Sequence, residues 1–488
     1  MSKLNYTILF FTLFLSLSSW SQKGSKSPYS IYGLGELNRE GYAVFGGMGG
    51  TALGATDSAV LNSINPASYA YIGRSLPVFQ LGMNGRLSQF STQDQTTNQQ
   101  HFGLNQFQLA LPIKKHWGAG IGIKPYSFKG YTITNYTIEE EDTTQLAVSE
   151  GSGGVRIANL GVAYQPLDFS KTHHKLRKYK VYSADSSEKI IKVDTLKGNR
   201  ISRLSIGAQA NYLFGTAQKT RSNEFIPSST SIFNARVESG IRLSGLTYEF
   251  GLNYQIGFES PSIMNVLSIG ATFSPATEVR AYQDIYSYSY IGSFYRGQSV
   301  SVLDTIEFVR DNEGGIYKPQ TMGVGLEYRF RPYKSSSFLR FTADARQESW
   351  STSYTSFNES TVNGGLRDRA YVGLGLEWTP LSGTSVLDKG QFLSKLHYRF
   401  GVSYTQSEWN VAGADGNLVG IDNYGMSFGL GIPVRVNNSN TNINFAANLG
   451  NLGTTDNGLI QEQYVGLFVG LSITPLSSNR WFVKRKYN

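Results

Sequence analysis

The sequence predicts an all-β protein, a transmembrane antiparallel β-barrel of fourteen strands. Three observations support this fold class. Only 16% of the 488 residues are charged and 53 are glycine, whereas soluble domains average about 25% charged residues and about 7% glycine. The mean hydropathy of −0.25 is too low for a protein with several membrane-spanning helices. Several segments alternate between apolar residues and small or polar residues, which is typical of strands with one face in lipid.

Residues 1–21 are predicted to be a secretory signal peptide. Lys3 precedes an apolar stretch at 6–17, and Ser19-Trp20-Ser21 gives a small-x-small cleavage pattern before Gln22. The apolar stretch is too short to cross a membrane. The chain has no cysteine, which excludes thiol catalysis, thiolate metal sites, disulfides and a lipid anchor on an N-terminal cysteine.

Residues 22–75 are polar and glycine-rich without clean periodicity, and residues 76–474 are predicted to form the barrel. In 464–473 every second residue from Val465 to Ile473 is apolar. Successive strand side chains point to opposite faces, so one face suits lipid. Strands must then close into a barrel, because backbone groups cannot stay unpaired in hydrocarbon. The predicted strands are 76–91, 103–113, 117–133, 152–166, 201–221, 231–258, 263–293, 319–331, 336–350, 369–379, 393–407, 424–435, 440–450 and 463–474.

An even strand number places both chain ends on the periplasmic side of the outer membrane. Short connections at 114–116, 260–262, 332–335 and 436–439 are then periplasmic turns. The longer polar stretches are then outer loops, at 92–102, 134–151, 294–318, 351–368 and 408–423. Strands 231–258 and 263–293 are too long for the membrane and are expected to project above it. The insert 168–200 falls on the periplasmic side in this count, and a miscounted strand would move it outside.

The formal net charge of +9 is concentrated in two places. Residues 168–200 hold nine Lys/Arg against four Asp/Glu, and the tail 475–488 holds four Lys/Arg and no acid. Both patches are candidates for docking an acidic periplasmic partner or phospholipid head groups, and simple solubility is a third explanation. An exported chain with two local patches is not expected to bind nucleic acid. The candidate docking residues are Lys171, Lys175, Arg177, Lys178, Lys180, Lys484, Arg485 and Lys486.

Residues 33–75 contain a pattern that resembles the N-terminal hatch of the FadL-like outer-membrane transport proteins. The pattern comprises Gly47-Met48-Gly49-Gly50-Thr51-Ala52, then Gly54, Asp57 and Asn65-Pro66-Ala67. The opening Ser27–Gly35 is similar to family members from Bacteroidetes and departs from the proteobacterial transporters. The family transports long-chain fatty acids and aromatic hydrocarbons.

This resemblance implies that 22–75 plugs the lumen, shaped by Gly47, Gly49, Gly50, Gly54, Asp57, Asn65, Pro66 and Ala67. It also implies passive uptake of a hydrophobic, fatty-acid-like small molecule, with a lateral exit where the third barrel strand kinks. Pro125 in that strand cannot donate to the ladder, and Gly130 is a second weak point. The alternative is a bulge at Pro125 without any function.

The function that we favour from the sequence is passive uptake of a hydrophobic small molecule, and the alternative is a non-transporting subunit of an outer-membrane protein secretion or assembly complex. The subunit would dock its partners through 168–200 and the tail. An apolar pocket at the hatch favours uptake, and a lumen filled by polar contacts favours the subunit. We expect no enzyme, cofactor or metal, because the five histidines lack metal-ligand spacing and Ser427 of a G-x-S-x-G match lies in a regular strand. The expected surroundings are outer-membrane lipid and lipopolysaccharide.

Overall fold

The computed structural model describes residues 26–38, 41–72, 77–138, 144–182, 189–226, 233–259, 263–332, 337–358, 360–381, 392–436 and 439–475. The predicted signal peptide 1–21 and the tail residues Lys484, Arg485 and Lys486 lie outside these ranges. Among the described residues, none of the helices has both the length and the apolar character needed to cross a membrane.

Nearly all regular structure in the described residues is β-strand. The strands are β1 (Glu36–Leu37), β2 (Val78–Ser91), β3 (Thr96–Lys114), β4 (Trp117–Phe128), β5 (Tyr131–Ile138), β6 (Thr144–Asp168), β7 (Lys171–Tyr182), β8 (Lys189–Ile226), β9 (Asn234–Glu259), β10 (Ile263–Ser274), β11 (Thr277–Ile291), β12 (Ser301–Lys318), β13 (Thr321–Pro332), β14 (Phe338–Glu348), β15 (Tyr354–Phe357), β16 (Ser360–Asn363), β17 (Arg369–Thr379), β18 (His397–Ala412), β19 (Leu418–Val436), β20 (Ser439–Leu452) and β21 (Gln461–Pro475). One α-helical turn, α1, spans Ala43–Gly46. Short 3₁₀ helices span Pro28–Ile31, Pro66–Tyr71, Trp350–Thr352, Leu393–Lys395 and Asp456–Gly458.

Fourteen of these strands form one closed antiparallel barrel, which confirms the predicted number. The order around the wall is β2-β3-β4-β6-β8-β9-β10-β13-β14-β17-β18-β19-β20-β21, and β21 pairs with β2 to close it. Exposed large apolar residues alternate with inward-facing residues, as at Val324 and Leu326 beside the buried Glu327. The wall therefore has an apolar outer face and a polar inner face, as a membrane barrel requires.

The two ends of the barrel differ. One end, called here the turn end, carries the short connections at 115–116, 260–262 and 333–336, and there β2 begins and β21 ends. The opposite end is called the loop end. The β7–β8 hairpin lies at the turn end, because Asp168 and Arg203 pair next to it.

Much of what the sequence predicted as loop is strand at the loop end. β3 already begins at Thr96, and β12 fills most of the predicted loop 294–318. Strand 263–293 is two strands, β10 and β11, and β11 continues upward against β9 and β12. Beyond the lipid a strand no longer needs one apolar face, so its period-two signal disappears from the sequence.

Candidate functional site

The N-terminal segment, residues 26–72 as far as they are described, contacts the inward face of the barrel wall from one end to the other. Near the loop end, Ser27 Oγ donates to Glu462 Oε2 at 3.0 Å, and Tyr29 stacks on Trp409. Near the turn end, a Cβ on Gly118 of β4 would lie 1.9 Å from the carbonyl oxygen of Tyr69. The segment therefore runs along the lumen from the loop end to the turn end.

The predicted glycines lie where the segment passes closest to the wall. Gly49 has φ +71°, its N–H donates to Ser427 Oγ at 2.7 Å, and its carbonyl accepts from Tyr371 Oη at 2.5 Å. A Cβ on Gly49 would lie 2.8 Å from the carbonyl oxygen of Val402. A Cβ on Gly54 would lie 2.7 Å from the backbone carbon of Leu326. These positions need glycine because two backbones meet there.

Gly47 also meets wall backbone, Gly50 meets a wall side chain, and the serine of the G-x-S-x-G match contacts the segment as well. Gly47 packs against Gly429, where a Cβ would lie 2.9 Å from the partner's Cα. Gly50 has φ +85° and lies against Tyr371. Ser427 lies in the middle of β19 and accepts from the segment's backbone, so it holds the segment rather than forming a nucleophile elbow.

A group of buried charges, called here the ionic cluster, consists of Asp57, Glu327, Arg340, Glu377 and Arg399. Arg340 lies 3.0 Å from Asp57, 3.0 Å from Glu327 and 3.6 Å from Glu377. Arg399 Nε donates to Glu377 Oε2 at 2.8 Å. All but Asp57 are buried, and Asp57 is the segment's member of the cluster. The Asp57 carboxylate of the segment thus pairs with Arg340 of β14, which also pairs with Glu327 of β13 and Glu377 of β17.

Two wall carboxylates, Asp344 of β14 and Glu327 of the ionic cluster, accept backbone N–H groups of the segment. Asp344 accepts from the N–H groups of Ala52 and Leu53 at 2.6 and 2.8 Å. Glu327 accepts from the N–H and the hydroxyl of Thr56, both at 3.1 Å. Hydrogen bonds to a charged acceptor are stronger than neutral ones, so these contacts fasten residues 52–57 firmly.

Opposite the ionic cluster, neutral groups hold the predicted Asn65-Pro66-Ala67 element. Asn65 Oδ1 accepts from the N–H of Ala67 at 3.0 Å and so caps the 3₁₀ helix Pro66–Tyr71. Asn65 Nδ2 donates to the carbonyl of Leu53 at 2.7 Å and to that of Leu252 on β9 at 3.2 Å. Tyr69 is fully buried and donates to Gln209 Oε1 of β8. The predicted Asn65-Pro66-Ala67 element therefore caps the 3₁₀ helix and attaches the segment to the wall.

The wall changes its pairing at β4. The β3–β4 ladder ends at Phe107 and Ile123, and beyond it Ser127 and Phe128 pair with β1 of the segment instead of with β3. Pro125 still opposes Arg156 of β6, but the register shifts before Ser127. The two strands β3 and β4 thus separate toward the loop end, next to the proline that lacks an N–H.

After β4 the chain is tied back to the segment. Gly130 donates its N–H to Ser30 Oγ at 3.1 Å. Lys129 Nζ donates to the carbonyls of Ile31 and Gly33 at 3.2 and 3.0 Å. Burial, reinforced by the nearby charge of Lys219, lowers the pKa of Lys129 to about 8.

Cavities beside the segment are small. An apolar cavity of about 140 Å³ is lined by Leu34, Leu213, Leu243 and Trp350, among others. A polar cavity of about 90 Å³ is lined by Asn38, Asn105, Lys124, Arg346 and Glu249, among others, and the two cavities share Tyr126 and Lys318. A third, of about 100 Å³, lies between Arg86, Arg369 and Tyr464.

A larger open groove of about 1140 Å³ runs along β2, β3 and β18–β21. Tyr424 and Met426 line it and expose 58% and 49% of their surface. Both residues have the parity of the outward face, but Lys26 of the segment and the buried Ser88 and Tyr464 line the groove as well.

The remaining predicted residues do not join the lumen site. Lys171, Lys175, Arg177, Lys178 and Lys180 lie on β7 at the turn end. Among the described residues, no group of three or more His, Asp or Glu has the arrangement of a metal site.

The wall charges of the site, Glu327, Arg340, Asp344, Glu377 and Arg399, were not among the predicted site residues. The available signal was a charged residue flanked by outward apolar residues within a strand, as in Leu376-Glu377-Trp378. Such a residue must point into the lumen. The alternation predicts on which face of the wall such a charged residue lies, but it does not predict the residue's contact partner in the lumen.

Comparisons with known proteins agree with this architecture. The model of the BamG family matches residues 1–171 and 190–488. The toluene transporter TbuX of Ralstonia pickettii is 14% identical over 89% of this chain and 98% of its own, with a TM-score of 0.51. A FadL homologue from Pseudomonas aeruginosa is 12% identical over 90% of this chain and 99% of its own, also with a TM-score of 0.51. No curated protein matches the sequence.

The resemblance to the FadL-like proteins is therefore confirmed for the fold. At 12–14% identity, the two solved structures show the architecture alone. A closed fourteen-stranded barrel of this kind is an integral protein of the outer membrane.

Proposed function

The chain belongs to the BamG family, and we propose that it is a plugged, non-conducting barrel that serves as a subunit of an outer-membrane protein assembly or secretion complex. The observation that carries this proposal is the ionic cluster together with Asp344. These wall groups hold residues 52–57 across the lumen through charged contacts. In this proposal residues 22–75 are a structural plug, and the glycines and Asn65-Pro66-Ala67 fit it to the wall.

The energetics favour a plug that stays in place. Removing one partner from a buried ion pair costs about 3–5 kcal/mol, because the other charge is left uncompensated. Withdrawing the segment would take Asp57 from Arg340 and four hydrogen bonds from Asp344 and Glu327. A channel that passes straight through the lumen would need that rearrangement in every transport cycle, whereas a lateral exit would not.

The size of the lumen cavities supports the same proposal. The cavities of about 90, 100 and 140 Å³ are smaller than the roughly 300–1,000 Å³ of ordinary ligand pockets. A fatty-acid-like molecule would have to displace part of the segment to enter. The expected partners are envelope proteins, with outer-membrane lipid and lipopolysaccharide against the apolar outer face.

The test is a mild-detergent affinity purification of the full chain from its native outer membrane, with mass spectrometry of proteins and extracted lipids. We expect envelope proteins in fixed ratio to the barrel and no bound apolar metabolite. A lone barrel that carries fatty acid or hydrocarbon would overturn the proposal. The matched control is an unrelated barrel of the same membrane carrying the same tag.

Passive uptake of a hydrophobic molecule is the second candidate, and the separation of β3 from β4 favours it. The apolar cavity and the polar cavity meet at Tyr126 and Lys318. An apolar ring or short acyl segment fits the first, since a dry cavity of about 150 Å³ lined by apolar side chains can bind benzene. An anionic head group fits the second, which Lys124, Lys318 and Arg346 line. Pro125 and Gly130 would then border a lateral exit.

Binding of radiolabelled palmitate and toluene to the purified barrel tests this candidate. Leu243→Trp fills the apolar cavity, whereas Leu246→Trp places the same ring on the exposed face of the same strand. Saturable binding that is lost only with Leu243→Trp supports uptake. Absence of saturable binding to the unmodified barrel counts against it.

A further inference from the structure

The turn end carries a β-hairpin that contains more residues than the connections at 115–116, 260–262 and 333–336. β7 (Lys171–Tyr182) pairs with residues 189–200 of β8 in twelve consecutive pairs, from Lys171 opposite Arg200 to Tyr182 opposite Lys189. This hairpin is called here the basic ribbon. β8 runs without interruption from Lys189 into the wall, so the ribbon continues the direction of the barrel strand.

The charge of the basic ribbon is mainly positive. Its two strands hold nine Lys/Arg residues and one acidic residue, Asp194, and the residues that connect them add Asp185 and Glu188. The sequence of the hairpin therefore has an excess of six positive charges.

The ribbon is too long for lipid to neutralise. Twelve residue pairs at about 3.3 Å per residue span about 36 Å. A bilayer of about 40–45 Å with a hydrocarbon core of about 30 Å leaves only about 5–8 Å of head-group layer on each side. Lipid phosphates can reach the base of such a ribbon but not its distal half.

Two further facts favour a protein partner. A two-stranded hairpin alone is at best marginally stable in water, so a partner packed against the ribbon would stabilise it. The BamG family model matches 1–171 and 190–488 and leaves 172–189 unmatched. The distal ribbon is therefore an extension relative to the family model.

We propose that the basic ribbon is a docking site for an acidic surface of a partner protein on the turn-end side of the membrane. This inference rests on the proposed function and names the chemistry of one contact in that complex. The acidic surface would form ion pairs with the Lys and Arg residues of the ribbon, so the association weakens as salt screens them.

The experiment uses the full chain in its native membrane. One variant reverses three ribbon charges, Lys175→Glu, Arg177→Glu and Lys178→Glu. The matched control reverses the exposed loop-end residues Arg280, Arg296 and Arg310. A third variant replaces residues 173–198 by Asn-Gly, which closes a two-residue turn between the paired Thr172 and Asn199. Outer-membrane amounts of each barrel are measured first, so that only assembled barrels are compared.

A photo-crosslinking residue at Thr195, opposite Leu176 in the ribbon, identifies the contact. We expect a crosslinked partner peptide rich in Asp and Glu, and at least a tenfold loss of that partner with the ribbon reversal and with the Asn-Gly replacement. The loop-end control should keep it. Retention of every partner by both ribbon variants would overturn the inference while leaving the subunit proposal intact. Loss of co-purified lipid alone would also overturn it, whereas a wild-type barrel without any protein partner would overturn both.

Discussion

The two sides of the lumen hold the same N-terminal segment by different chemistry. On the side of β13, β14, β17 and β18, here the ionic side, Arg340 and its carboxylate neighbours carry full charges. On the side of β4, β6, β8 and β9, here the amide side, Asn65, Tyr69 and Gln209 make neutral hydrogen bonds. Two equally buried residues can therefore differ in their sensitivity to substitution. A buried charge that loses its partner costs more free energy than a buried amide that loses its hydrogen bond.

Close backbone contact is common to both sides. On the ionic side Gly54 meets Leu326, and on the amide side a Cβ at Gly207 would lie 2.5 Å from the nitrogen of Ala67. Shape therefore fits the segment all around the lumen, and the buried ionic cluster adds a stronger attachment around Asp57.

The largest effect is expected from breaking the ionic side at its centre. Arg340→Leu leaves Glu327 and Asp57 without this partner and should lower the free energy of unfolding by about 3–5 kcal/mol. Urea unfolding of the purified barrel in detergent measures it. Arg280→Leu is the control, since Arg280 and Glu313 form an exposed pair worth about 0–1 kcal/mol. Equal losses in the two variants would contradict the assignment of the ionic cluster as a fastening.

A smaller effect on the same side is expected from Asp344→Asn. The amide keeps one acceptor oxygen for Ala52 and Leu53 but loses the charge, and we expect a loss of about 1.5–3 kcal/mol. Hydrogen exchange of the amides of residues 52 and 53 should accelerate as well. Asp304→Asn, at an exposed position of β12, should change neither measurement.

On the amide side, Gly207→Ala tests the steric fit between the wall and the segment, and it changes no charge. The new methyl would collide with Pro66 and the nitrogen of Ala67, and overpacking of this kind costs about 1–3 kcal/mol. Limited proteolysis should cut the segment near Ala67 faster than in the parent barrel. In Gly240→Ala the nearest atom lies 3.9 Å away, so an effect of similar size there would show that strand propensity, and not contact with the segment, is being measured.

The smallest effect is expected from Tyr69→Phe, which removes the hydroxyl that donates to Gln209. Loss of one neutral hydrogen bond should cost about 0.5–1.5 kcal/mol. Tyr136→Phe is the matched control, because Tyr136 is 65% exposed. A loss as large as that of Arg340→Leu would remove the distinction between the two sides.

Some of the site could be read from the sequence. The glycine pattern gave Gly49 and Gly54, both of which meet wall backbone, and Asn65 caps the 3₁₀ helix at Pro66. These are local properties of the segment, so a motif can record them. Glu327 and Asp344 could be assigned to the inner face by alternation, but no pattern linked them to residues 52–57, which lie about 270–290 positions away along the chain.

The number of wall strands and the face on which each wall side chain lies could be predicted from the sequence alone, because the period of two is a local consequence of strand geometry. It also determined the charge of the hairpin at 168–200. Three features follow only from the tertiary structure. They are the ion pairs between inward-facing charges, the separation of β4 from β3, and the path of the segment from the loop end to the turn end. Those contacts depend on closure of the barrel and on the path of the segment through it, and neither is encoded in neighbouring residues.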